Sequence, residues 1–137
     1  MKVIKGGDST LKKEFDEGKP IFQQVREQIE DQIVNDQLQE GDQAPSTTQL
    51  VNFYKINHVT VAKGVNQLVD EGILYKKRGV GMFVEEGAKE KLVQKRKSAF
   101  MDTYVVRLVR EADKLGISEN EVFDMIKKVK GSGSDDS

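Results

Sequence analysis

The sequence has no cysteine and a single histidine among its 137 residues. The lack of cysteine excludes a disulfide framework, a thiolate metal site and a cysteine nucleophile, and it agrees with a reducing cytosol. His58 alone is too little for a histidine-rich metal site or for most acid–base catalysis. No run approaches the ~18 apolar residues that a membrane span needs, and the N-terminus lacks the apolar stretch of a secretory signal. We therefore expect a soluble, cytoplasmic protein that is no enzyme and uses no metal or cofactor.

The net charge of -1 conceals an uneven distribution of charge along the chain. Residues 55–81 contain five basic and two acidic residues, whereas six acidic residues occupy the segment 27–42. Because phosphate attracts Lys and Arg, the segment 55–81 is the candidate for contact with nucleic acid. The length allows one DNA-binding domain with a small appendage and excludes an additional large catalytic domain.

The spacing of apolar residues, together with residues that start, cap or end helices, predicts three helices followed by a β-hairpin. Pro20 suits the first turn of a helix, Ser46 and Asn57 can cap two more, and Gly72 stops the third. Two short apolar strands then flank the turn KKRGVG. The predicted elements are helices at 20–37, 46–54 and 57–71, and strands at 73–75 and 82–84. This order is that of a winged helix-turn-helix, mainly α with a small β-hairpin wing.

From Ala88 the pattern changes to one long helix that Gly116 ends. Its apolar residues recur at spacings of four and three, as in a seam that packs against a neighbouring helix. Ser118 and Glu121 form a capping-box pattern that opens a last helix. We expect these two helices to form a dimerisation region. The alternative is that the apolar stripe on the long helix also lines a ligand site. The predicted dimerisation residues are Phe100, Met101, Tyr104, Val105, Leu108, Ala112, Leu115, Val122, Phe123 and Ile126.

The predicted organisation has four parts. They are a flexible or partly extended N-terminal arm (1–19), a winged helix-turn-helix domain (20–87), a helical dimerisation and effector region (88–130) and a disordered tail (131–137). Two C-terminal helices offer little volume for a small-molecule cavity. An effector, if one binds, is expected between subunits, or between the long helix and the winged domain near Phe100 and Tyr104.

Four motifs occur in order along the first part of the chain. They are PIFQQV from Pro20, GDQAPS from Gly41, Thr60-Val61 at the start of the third helix, and RGVGMFV from Arg78. In this order and spacing they resemble the DNA-binding domain of the GntR family of bacterial transcriptional repressors. The short C-terminal part resembles the YtrA subfamily of that family, whose effector region is small and serves mainly in dimerisation.

The resemblance implies that the third helix enters the major groove of duplex DNA and that the hairpin contacts phosphate or the minor groove. His58 would then donate to guanine or phosphate, Thr60 would offer a hydroxyl and a methyl, and Lys63 would reach guanine or the backbone. The candidate DNA-binding residues are Ser46, Thr47, Thr48, His58, Val59, Thr60, Lys63, Lys76, Lys77, Arg78, Gly79 and Gly81.

Each assignment has an ordinary alternative. His58 by itself is typical of an exposed helix start, a basic turn by itself is typical of a solvated hairpin, and Asp70-Glu71 is expected to be ordinary surface. Thr48 stands where many family members have Arg, and the residues 57–59 also depart from the usual pattern. The operator sequence therefore does not follow from the resemblance.

The sequence as a whole predicts a DNA-binding transcriptional repressor that acts as a homodimer. Its expected target is an inverted repeat with half-sites about one DNA turn apart. The alternative is a winged-helix module for protein interaction or DNA architecture, without specific operator binding.

Overall fold

The computed structural model describes residues 14–134, so that part of the predicted arm (1–13) and of the predicted tail (135–137) lies outside the described residues. The elements are α1 (Ile21–Val34), α2 (Thr47–Tyr54), α3 (His58–Asp70), β1 (Leu74–Lys77), β2 (Gly81–Val84), α4 (Ala88–Phe100), α5 (Val106–Leu115) and α6 (Glu119–Ser134), with a π-helical turn at Met101–Val105. The chain divides into two compact units at the boundary between Lys95 and Arg96, within α4. The predicted boundary between winged domain and dimerisation region, at residues 87 and 88, is a functional division and stays a prediction.

Side chains cap both helices of the helix-turn-helix, as predicted. At α2 the Ser46 hydroxyl accepts from the Gln49 amide at 3.0 Å, and the Gln49 side chain accepts from the Ser46 amide at 2.9 Å. At α3 the Asn57 side chain accepts from the Thr60 amide at 2.8 Å. Lys55 ends α2 in the left-handed conformation, with φ of 60°. These bonds satisfy amides that a helix start leaves without partners, and they fix where each helix begins.

A single apolar core holds the first unit together. Every element of this unit contributes to it, and the loop before α2 adds two side chains. Burial of each aliphatic side chain stabilises the fold by roughly 1.5–3 kcal/mol relative to exposure. The buried apolar residues are Val25, Ile29, Ile33, Leu38, Ala44, Leu50, Tyr54, Val61, Val65, Leu68, Ile73, Leu74, Met82, Val84, Ala88 and Leu92. Because Ala88 and Leu92 belong to this core, the first turns of α4 pack with the winged domain.

At Gly64, α3 lies close to the backbone of α1. A methyl group placed on Gly64 would lie 2.5 Å from the carbonyl oxygen of Phe22 on α1 and 3.6 Å from the amide nitrogen of Arg26. Any larger residue would therefore force α1 or α3 to shift, which explains glycine here despite its lower helix propensity. Helix α3 thus lies directly against the backbone of α1.

A charged network ties α1 to the end of α3. Arg26 on α1 is only 8% exposed, and its guanidinium donates to both Glu71 carboxylate oxygens at 2.6 and 2.7 Å. It also donates to the side chains of Glu30 and Gln67, both at 2.9 Å. The hydrogen bonds from Arg26 are the largest cause of a lowered Glu71 pKa. Asp70 and Glu71 both lie at the surface, as expected, but the Glu71 carboxylate is also paired with Arg26. Sequence spacing alone could not predict this pairing with a residue on α1.

The wing is a two-stranded antiparallel hairpin, and a single β-bridge joins its second strand to the segment before α2. Leu74 of β1 pairs with Val84 of β2, and Tyr75 pairs with Phe83 with ring centroids 5.7 Å apart. Aromatic pairs across strands stabilise such hairpins. On the other side of β2, Gln43 forms a bridge with Phe83, and the Ala44 amide donates to the Met82 carbonyl at 2.8 Å. The segment before α2 is therefore joined to the hairpin, an arrangement that the sequence did not predict.

The described end of the predicted N-terminal arm is bonded to α1. The Gln24 side chain accepts from the Asp16 amide at 2.7 Å and donates to the carbonyls of Asp16 and Lys19 at 2.7 and 2.8 Å. The ring of Phe15 lies 5.1 Å from that of Tyr54, between centroids. Asp16 and Lys19 are therefore bonded to α1, and Phe15 packs against Tyr54 of α2.

The second unit exposes most of its apolar side chains. Residues 88–115 are helical, as predicted, but the apolar spacing did not predict the π-helical turn at 101–105. Gly116 ends α5 in the left-handed conformation, with φ of 69°, also as predicted. No residue of α6 up to Gly131 is buried, and α6 continues to Ser134, four residues into the predicted tail.

Candidate nucleic-acid interface

The first turn of α3 presents uncommitted side chains to solvent. His58 and Val59 are exposed, and Thr60 is half-buried. His58 makes no hydrogen bond or ion pair with any described residue, whereas the amide of Thr60 is already held by the Asn57 cap. The three predicted contact residues thus lie together at the amino end of the helix, where the helix dipole favours anions.

Lys63, one turn further along α3, has an aromatic neighbour on α1. Its ammonium nitrogen lies 4.1 Å from the centroid of the Phe22 ring on α1. A cation over an aromatic face is attracted by about 0.5–1 kcal/mol at an exposed site. Lys63 is exposed, so this contact orients the side chain towards the α1 side of the helix without burying its charge.

The start of α2 offers two threonines and one serine. The hydroxyl oxygen and the amide of Ser46 are both engaged in the cap, which leaves the hydroxyl hydrogen as its remaining donor. The side chains of Thr47 and Thr48 make no hydrogen bond with a described residue, and Thr48 is exposed. The hydroxyls of the two threonines are therefore available to a phosphate, with Ser46 fixing their position.

The wing carries three exposed cations, Lys76 and Lys77 at the end of β1 and Arg78 in the turn, hereafter the wing cations. The Val80 amide donates to the Lys77 carbonyl at 2.9 Å, which closes a β-turn. Gly79 has φ of 77°, the left-handed value that the third residue of a type II turn requires. The Lys77 ammonium lies 5.2 Å from the Phe83 ring centroid. Lys76 and Arg78 form no ion pair with a described residue, so their charge is not neutralised within the described chain.

Gln43 supports the wing from the neighbouring segment, and the sequence did not identify it. Its amide nitrogen donates to the carbonyl of Val80 at 3.1 Å. A methyl group placed on Gly81, which has φ of 142°, would lie 2.5 Å from the same nitrogen. Gly81 therefore lets Gln43 approach the backbone of the loop. Since Gln43 is separated from Val80 by 37 positions, local patterns in one sequence carry no signal for this contact.

Two further properties concern the described residues as a set. No three or more His, Asp or Glu side chains among residues 14–134 are grouped so that they could hold a metal ion. No helix in the same range is long and apolar enough to cross a membrane.

Comparison with known proteins identifies the kind of domain that carries this surface. Residues 21–84 match the family of bacterial regulatory proteins called the gntR family. A solved GntR-family regulator from Bacteroides thetaiotaomicron is 32% identical, with a TM-score of 0.64 over 82% of this chain and 98% of that chain. The chain belongs to the GntR family. The family match over residues 21–84 begins at α1 and ends with β2, so it covers the winged helix-turn-helix.

Curated GntR relatives extend the similarity beyond the winged domain. The transcriptional repressor YtrA of Bacillus subtilis is 29% identical over 80% of this chain and 84% of its own length. The HTH-type transcriptional regulator YhcF of the same organism is 28% identical over 83% of this chain and 93% of its own length. The family and the fold are those of DNA-binding transcriptional regulators and not of enzymes. The predicted family, with its YtrA-like relatives, and the predicted fold class are confirmed.

Proposed function

We propose that this GntR-family regulator is a homodimeric repressor that binds an inverted-repeat operator through α3 and the wing. The observation that carries the proposal is the set of exposed polar and cationic side chains on the first turn of α3 and on the wing. Repression is supported by the similarity to the transcriptional repressor YtrA, which aligns with 80% of this chain over 84% of its own length. A DNA target also implies a cytoplasmic location.

In this proposal the first turn of α3 enters the major groove. His58 and Thr60 can donate to base acceptors or to phosphate, and the threonine methyl can contact thymine. Lys63 can exchange its contact with Phe22, 4.1 Å away, for a guanine or a phosphate, because that contact is weak and the ammonium is exposed. The capped amino end of the helix adds a favourable dipole towards the DNA backbone.

The wing cations and the start of α2 supply phosphate contacts that set the position of α3. At Gly79 an added methyl group would have nothing within 4 Å, so no side chain stands between the loop backbone and the sugar-phosphate chain there. Gly81 contributes indirectly, because it makes room for Gln43, which supports the loop. Thr47 and Thr48 offer hydroxyl donors to phosphate. Each phosphate that a cation neutralises makes the affinity more sensitive to salt, with a slope contribution of about -0.9 per contact.

The second unit supports self-association. Its exposed apolar side chains form two stripes, one on the helical segment ending at Leu115 and one on α6, and none of α6 up to Gly131 is buried within the chain. Exposed apolar surface of this extent marks an interaction surface. Ala112 is already covered within the chain, at 6% exposed, so it supports the unit internally. The exposed members are Phe100, Met101, Tyr104, Val105, Leu108, Val109, Leu115, Phe123, Met125, Ile126 and Val129.

A dimer is also what a small DNA-binding domain needs. One winged domain makes few phosphate contacts, and linking two domains raises the affinity through effective concentration without new contacts. A two-fold axis then matches an operator whose half-sites form an inverted repeat.

Two measurements test the proposal together. Selection of bound duplexes from a random DNA pool, at a stated salt concentration, should yield an inverted repeat with half-sites about 10 base pairs apart or a multiple of that spacing. Sedimentation velocity of the protein alone should give a dimer, and the complex should contain two chains per operator. Enrichment of a single asymmetric site by a monomeric protein would overturn the dimer. The absence of any enriched sequence would instead favour an interaction or architectural module.

A further inference from the structure

Val59 leaves an isopropyl group uncovered on the first turn of α3. The side chain is 76% exposed, between His58 and Thr60. Two residues on, Val61 is fully buried in the core, and Val65 is 1% exposed. Because two helical steps rotate a side chain by about 200°, Val59 faces away from the core, and no described part of the chain covers it.

The outward face of α3 is chemically mixed, and Val59 is its apolar member. Steps of four and three residues lead from Val59 to Lys63 and Asn66, both exposed on the same side. Lys63 leans towards Phe22 on α1, at 4.1 Å from the ring centroid. The amino end of this face is therefore occupied by the isopropyl group of Val59 next to the imidazole of His58.

A single exposed apolar residue is common on protein surfaces, so the position of Val59 carries the argument. It lies on the turn that the proposed function places in the major groove. An isopropyl group can neither hydrogen-bond to a base edge nor neutralise a phosphate. The apolar group that bases present in that groove is the 5-methyl of thymine, which adenine, guanine and cytosine lack.

We propose that Val59 selects thymine at one position of each half-site by packing its isopropyl group against the 5-methyl group. The inference rests on the proposed function, because it requires α3 to enter the major groove of an operator. The inference specifies which base Val59 distinguishes from the other three. Loss of one buried methyl group should weaken binding about fourfold per half-site, and about fifteenfold when both half-sites lose it.

The test replaces thymidines of the selected operator by deoxyuridine, one symmetric pair of positions at a time. Deoxyuridine lacks the 5-methyl group and keeps the pairing and groove hydrogen bonds. Fluorescence anisotropy at constant salt gives the Kd of the wild type and of Val59→Ala for each duplex. At one pair of positions the wild type should lose about fifteenfold in affinity, and Val59→Ala should lose almost nothing there.

Val80→Ala is the matched control, because Val80 is another exposed valine, 56% exposed, on the wing. This variant should keep the deoxyuridine sensitivity of the wild type. Val59→Ala removes no core contact, and an unchanged circular dichroism spectrum and thermal midpoint would show that it folds.

Each outcome decides the inference. If no deoxyuridine position separates the wild type from Val59→Ala, or if the selected half-site contains no thymine, the inference is overturned while the proposed function stands. If no duplex is bound in a salt-sensitive manner, the proposed function and the inference fail together.

Discussion

Replacement of Gly64 by alanine inserts one methyl group at the crossing of α1 and α3. The methyl would lie 2.5 Å from the carbonyl oxygen of Phe22, whereas ordinary contact begins at 3.4 Å. One helix must therefore move by roughly 0.9 Å, the difference between these two distances. The carbonyl is part of the α1 backbone and cannot turn aside as a flexible side chain could.

The expected loss of stability follows from two opposing effects. Overpacking of a tight core contact costs about 1–3 kcal/mol, and the rigid backbone neighbour places Gly64→Ala at the upper end of that range. Alanine gains about 1 kcal/mol over glycine in a helix interior. The net loss is about 2 kcal/mol, which corresponds to a fall of roughly 2 M in the urea midpoint at an m value of about 1 kcal/mol/M.

Urea denaturation followed by circular dichroism measures this loss, and Gly131→Ala is the matched control. Gly131 is also helical, in α6, and a methyl group placed there has nothing within 4 Å. The control should be neutral or more stable than the wild type. A Gly64→Ala protein with an unchanged or higher midpoint would refute the close seating of α3 on α1.

Three further predictions concern charge and association. Alanine at all three wing cations should leave the thermal midpoint unchanged, weaken operator binding about tenfold or more, and reduce the slope of log K against log salt by about 0.9 for each phosphate that is no longer neutralised. Glu71→Gln should destabilise the fold at pH 7 by about 1–2 kcal/mol, below the cost of breaking a fully buried pair because the Glu71 side chain is 41% exposed. The pKa of Glu71 lies below its ordinary value of 4.5. The ionised carboxylate therefore stabilises the fold above pH 4.5, and this stabilisation is lost as the pH falls through the lowered pKa. The urea midpoints of the wild type and Glu71→Gln should converge in acid. Leu108→Glu should give a monomer in sedimentation velocity, because it places a charge on the exposed apolar stripe, and it should lower operator affinity at least tenfold.

The wing-cation prediction has a control variant, and each of the three predictions has a result that would contradict it. Lys127→Ala removes one charge far from the wing in sequence, and a salt slope that falls equally in this variant would exclude a specific role for the wing cations. A stability difference between the wild type and Glu71→Gln that is the same at pH 7 and pH 3 would contradict ionic pairing with Arg26. A Leu108→Glu protein that stays dimeric would place the dimer surface elsewhere.

Local chemistry was sufficient for much of the winged domain. The capping patterns at Ser46 and Asn57 depend on residues three positions apart, and the structure forms both caps. Outside the winged domain, the end of α5 at Gly116 depends on the conformational freedom of that one residue. Apolar spacing likewise predicted α1 and α3 as helices. Each of these features depends on residues within one or two helical turns of each other, so a single sequence is enough to predict it.

Contacts between distant parts of the chain were not predicted. The pairing of Arg26 with Glu71, the crossing at Gly64 and the support of the wing by Gln43 all join segments that only the folded chain brings together. The π-helical turn at 101–105 was missed because apolar spacing does not distinguish it from an α-helical turn. The DNA-contact and dimerisation residues, and the effector site near Phe100 and Tyr104, stay predictions.

The most direct test of the central claim is the affinity of the wild-type protein for its selected duplex, measured by anisotropy over a series of salt concentrations. The account predicts a straight line of log K against log salt, with a negative slope that reflects several phosphate contacts per dimer. A duplex affinity that does not change with salt, or the absence of binding at the lowest salt, would contradict it.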